Sequence, residues 1–103
     1  MEYTEIEVPD LNDSTSRVVL NNTPYHIRFT FNLTGNYWKF GLYDTLGNPI
    51  VQGVKIVPNY PLNLFFGASD LPDGIFAVLS KLDRIGRNDF RDGKAKFVFC
   101  PAE

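Results

Sequence analysis

Apolar and polar positions alternate with a period of two along most of this chain, the pattern of strands with one wet face. Thr4, Ile6 and Val8 oppose Glu5 and Glu7, and the run stops at Pro9. Asp10 to Ser14 is turn chemistry. Arg17–Leu20 and Tyr25–Asn32 then flank Asn21-Asn22, a dipeptide that tolerates the positive φ of a tight hairpin turn. In the second arm Tyr25, Ile27, Phe29 and Phe31 share one face, with His26, Arg28 and Thr30 on the other. After a turn at Leu33–Asn36, the next strand, Tyr37–Asp44, places Trp38, Phe40 and Leu42 together. Asp44–Asn48 turns the chain again, and Ile50–Val57 follows with Gly53 as a bulge or close-approach point. Phe29, Trp38, Phe40 and Leu42 are the expected core.

The rhythm breaks between Pro58 and Gly74, a stretch too proline-punctuated for a central strand and too short for a stable long helix. Ile75–Ser80 reads as a buried strand. Arg84–Gly93 reads as a polar connector with one helical turn near Asp89, and Lys94–Cys100 as a closing strand. The pattern predicts an all-β domain over residues 1–103. About seven short strands, mainly an antiparallel meander, would form a small barrel or sandwich. Residues 1–15 are either part of it or an arm, flexible or docked on a partner.

Composition narrows the function more than it defines it. Aromatic residues make up 15% of the chain, which favours strands. No apolar run reaches the roughly 20 residues of a membrane-spanning helix, and the acidic start is unlike a secretory signal, so no membrane partner is expected. One cysteine, Cys100, and one histidine, His26, leave no intrachain disulfide, no cysteine metal cluster and no site built on two imidazoles. Charge is uneven: residues 1–13 carry five acids and no base, whereas residues 81–96 carry six bases against three acids. Such ends can attract within one molecule or between copies.

Candidate chemistry is thin. The pairs Asp10/Asp13, Asp70/Asp73 and Asp89/Asp92 sit among Asn, Ser, Pro and Gly, where Asp bonds its own backbone, and none has calcium-loop spacing. Gly86 to Gly93-Lys94 has six residues between its glycines and no hydroxyl after the lysine, so it is no phosphate loop. No catalytic, cofactor-binding or metal-binding residue is expected, and no specific nucleic-acid binding. Candidate interaction surfaces are clearer. Leu62, Leu64, Phe65 and Phe66 fill a proline-framed loop that either caps the core or docks a neighbour. Ile6 belongs to the N-terminal segment, and Arg84, Arg87 and Arg91 to a connector that is either solvated or a docking edge. A binding module stacking sugars on Tyr37, Tyr43 and Tyr60, or holding a protein, is the alternative function.

Four motifs in order carry a resemblance. They are Tyr25-His-Ile-Arg28-Phe29; Gly35-Asn-Tyr-Trp38-Lys-Phe-Gly-Leu42-Tyr43-Asp44; Gly47-Asn-Pro49-Ile50; and Gly53-Val-Lys-Ile-Val57-Pro58. Together they resemble the tailed-phage baseplate plug family of contractile-tail central hubs, across roughly Arg17 to Pro101. The resemblance implies a non-enzymatic structural virion protein of the tail baseplate, made in the host cytoplasm. It implies contacts with hub, spike and tube proteins that bridge or close the tail channel. It also implies copies arranged in a ring by three- or six-fold tail symmetry.

Overall fold

The computed structural model describes residues 3–60, 62 and 74–101. These residues form seven strands and no helix: β1 (Thr4–Ile6), β2 (Asp13–Leu20), β3 (Thr23–Asn32), β4 (Tyr37–Tyr43), β5 (Pro49–Lys55), β6 (Gly74–Ser80) and β7 (Ala95–Pro101). All neighbours are antiparallel. One sheet has the order β2-β3-β4-β5, a simple meander, and the other the order β1-β7-β6. Of the two closures the sequence leaves open, the chain adopts the sandwich: no strand ladder joins the two sheets among the described residues.

Residue chemistry explains most local choices. Asn21 and Asn22 take φ of 52° and 66°, so β2 and β3 close directly with Leu20 opposite Thr23. Tyr25, Ile27, Phe29 and Phe31 all point inward from β3, and Trp38, Phe40 and Leu42 from β4. Gly53 has φ of 66°, and the register slips where Phe40 opposes Val54 but Leu42 opposes Val51. That bulge lets Val51 and Val54, three positions apart, both face the core.

Three local expectations are refined. The turn expected over Asp10–Ser14 ends early, because β2 already pairs at Asp13. Backbone pairing does not need apolar side chains, and Arg28 holds Asp13 in place across the ladder through Nε at 2.9 Å and Nη2 at 2.7 Å. Thr4–Ile6 lies on this chain's own β7, opposite Phe99, Val98 and Phe97. The connector forms turns rather than a helix, with Asp92 N–H donating to the Asn88 carbonyl and Lys94 N–H to the Asp89 carbonyl, both at 2.9 Å.

Aromatic rings lock the two sheets together. Phe97 of β7 meets Phe29 of β3 at 5.0 Å and Phe40 of β4 at 5.1 Å between ring centroids, both edge to face. Phe76 of β6 lies 5.4 Å from Phe40, and Phe99 lies 5.0 Å from Phe76. Such geometries add about 0.5–1.5 kcal/mol per pair beyond area burial. Phe97→Ala is therefore expected to cost about 3–5 kcal/mol in urea unfolding, while Leu46→Ala, 86% exposed, changes stability by no more than about 0.5 kcal/mol.

Two exposed carboxylates also brace the four-stranded sheet. Asp44 accepts the backbone N–H groups of Asn48 at 2.8 Å and Leu46 at 2.9 Å, and these bonds lower its pKa, the Asn48 bond most. The Arg28 side-chain bonds lower that of Asp13. Their stabilisation is complete above the ordinary aspartate pKa of about 3.9 and fades as pH falls through the depressed values. The melting temperature should thus drop on acidification below about pH 4, and Asp13→Asn should flatten that drop in a scan of melting temperature against pH.

Candidate interaction surfaces

The connector after β6 is held from below by Trp38, which is fully buried. Its indole Nε1–H donates to the Gly86 carbonyl at 3.0 Å. Phe31 and Phe90 pack edge-on against the indole at 5.2 and 5.7 Å, and the Arg87 guanidinium covers it at 5.5 Å. Arg87 then reaches the N-terminal segment, donating to Asn12 at 2.6 Å and to Asp10 at 2.7 Å. Arg84 donates to the Gly35 and Asn36 carbonyls in the β3–β4 turn, both at 2.9 Å. The Asp89 carboxylate caps the Gly86 N–H.

These contacts place the sequence candidates. The attraction between the acidic start and the basic connector operates within one molecule, through Asp10 and Arg87. Arg84 and Arg87 tie the connector to the sandwich, and Arg91 pairs with its neighbour Asp92 at 3.1 Å. Ile6 and Leu62 are buried in the core rather than turned outward. Phe29, Trp38, Phe40 and Leu42 are buried as well. Leu64, Phe65, Phe66 and the pair Asp70/Asp73 lie outside the described residues. The three tyrosines do not form one platform. Tyr37 and Tyr43 stand at opposite ends of β4, and Lys39 and Lys55 both lie over the Tyr37 ring, at 5.6 and 5.0 Å. Tyr60 is exposed in the turn after β5.

Two outward faces emerge only once the strands are paired. On the four-stranded sheet Lys39 stands opposite Lys55, with Arg17 beside His26 and Arg28 nearby, so bases scattered through the sequence gather on one face. Like charges directly opposed destabilise a sheet slightly. On the three-stranded sheet β6 turns Ile75, Ala77 and Leu79 outward, and Ile75 and Leu79 are each 42% exposed. Across the ladder they stand beside Cys100, Val98 and Lys96. The Leu79 end opens into a hollow of about 520 Å³ lined by Tyr3, Leu79, Leu82, Lys81, Lys94 and Lys96. An apolar row on the outer face of a sandwich sheet, rimmed by lysines, is the composition of a protein-docking surface. Its sequence signal was the absence of alternation in Ile75–Leu79, which reads as burial on both faces.

Among the described residues, no group of three or more His, Cys, Asp or Glu side chains could hold a metal ion. His26 lines an open hollow with Asp13, Thr15, Arg28, Tyr43 and Gly47, and Arg28 already occupies the one carboxylate there.

No curated protein matches the chain. A family model described as cyanophage baseplate Pam3 plug gp18 matches residues 1–101. With almost its whole length covered by that model, this chain belongs to the cyanophage baseplate plug family.

Proposed function

We propose that this protein is a non-catalytic structural component of the tail baseplate that bridges or closes the tube channel where it meets hub and spike. The observation that carries the reading is the family match over residues 1–101. The sandwich supports it physically: a ring-locked core keeps its shape under load, and function can then reside in contacts at faces, edges and loops. The outward row Ile75, Ala77 and Leu79 is the proposed docking face. Its lysine rim, Lys81, Lys94 and Lys96, suits a neighbouring tail protein that presents carboxylates beside an apolar strip. Leu64, Phe65 and Phe66 are proposed as further contacts, and Arg91 as a rim charge. Copies would follow the three- or six-fold symmetry of the tail, each made in the host cytoplasm before assembly.

Mass spectrometry of purified particles is expected to find the protein at a few copies per tail. Leu79→Asp, which puts a charge on the apolar row, is expected to lower its incorporation severalfold while the free protein keeps its melting temperature. Absence of the wild-type protein from intact virions would overturn the reading.

A further inference from the structure

Three of the four sheet edges are defended against pairing with another chain. The outer edge of β6 is covered by its own loop: Asn59 N–H donates to the Val78 carbonyl and Leu62 N–H to the Phe76 carbonyl, both at 2.8 Å. The Asn59 side chain also grips Ser80, donating to its carbonyl at 2.7 Å. β5 begins at Pro49 and is broken by bulges, and β1 is only three residues long before Pro9. Each is a recognised way to blunt an edge. β2 has none of them. It runs eight regular residues without proline, lysine or bulge, and among the described residues it has a neighbour on one side only.

The register fixes which of its groups are free. Leu20 opposite Thr23 closes a two-residue turn, and Phe31 N–H donates to the Asn12 carbonyl at 2.8 Å. Even-numbered residues of β2 therefore bond β3, while Asp13, Thr15, Arg17 and Val19 direct their N–H and C=O groups outward. The side chains of these four also lie on the exposed face. With Leu11 just before the strand, the outward series reads apolar, acid, neutral, base, apolar. Such a series is complementary to its own reverse.

We propose that β2 is the edge at which two copies of this chain pair, antiparallel, about a two-fold axis through Thr15. Thr15 then faces Thr15 of the second copy, and Asp13 faces Arg17 of the second copy at both ends. Leu11 and Val19, 55% and 54% exposed, come side by side across the two copies. Asp13, Thr15 and Arg17 form the narrow pairs that exchange both backbone bonds. The same register explains an orphan. Among the described residues the buried Ser14 hydroxyl has no hydrogen-bond partner, and the pairing sets Ser16 of the second copy directly opposite it. Among the described residues Arg17 has no ion-pair partner, so its charge is available to Asp13 of the second copy. An isologous pair closes at two copies, so it belongs to the free chain and leaves any ring about a tail axis to other faces.

Sedimentation velocity on the purified full chain is expected to show a monomer giving way to a dimer as concentration rises. Arg17→Asp, which sets acid against acid at both ends, should weaken that dimer about tenfold. Cysteine cross-linking in a Cys100→Ser background tests the register. Thr15→Cys is expected to form a disulfide-linked dimer, because narrow antiparallel pairs hold Cα atoms about 5.5 Å apart. Arg17→Cys, about 13 Å along the strand from its own copy, should stay monomeric. Both replace exposed side chains, and circular dichroism of each variant checks that the fold is kept. Failure of Thr15→Cys to cross-link, or equal cross-linking by Arg17→Cys, overturns the pairing.

Discussion

Contact between the rings of two sheets is what the rest of this molecule depends on. Phe97 sits between Phe29 and Phe40 of the opposite sheet and its own neighbour Phe76. A chain of this size folds with only about 5–15 kcal/mol to spare. Losing one such ring would remove a large part of that margin. Because the core is closed by side chains at alternate positions, the outer faces of β2, β3 and β6 are released for other uses. The lysine-rimmed row on β6 and the basic face of the four-stranded sheet both follow from that division.

In the connector, arginine charge serves to hold the fold. Arg84 and Arg87 are anchored by carbonyls, a carboxylate and the face of Trp38. Rim charges on an exposed face steer encounter and orientation more than they add affinity. That suits a family whose members take a place in a baseplate. The ion pairs that remain exposed, such as Arg28 with Asp13, are worth little individually. Arg28 and Asp13 matter chiefly because they set the start of β2.

Much of the fold was legible in the sequence because period-two alternation is a local property. Tyr25 to Phe31 and Trp38 to Leu42 announce their buried faces residue by residue, and Asn21-Asn22 announces its turn. Gly53 likewise marks its bulge, since only a residue at ease with positive φ fits there. The start of β2 was hidden because Ser14, Thr15 and Ser16 have the composition of a turn, and only the ladder with β3 makes them a strand. Arg84 and Arg87 looked like surface charges for the same reason. Their acceptors, Gly35, Asn36 and Asp10, are dozens of positions away in sequence.

By itself the sequence determined the strand count, the inward residues and the family, since each rests on spacing between near neighbours or on ordered motifs. Tertiary structure alone decided how the strands divide between two sheets and which edges stay open. It also brought Lys39 against Lys55 and turned Ile75 and Leu79 outward. The reason is physical. A strand's own side chains fix which of its faces is dry, but which strand lies beside it depends on chain segments far away.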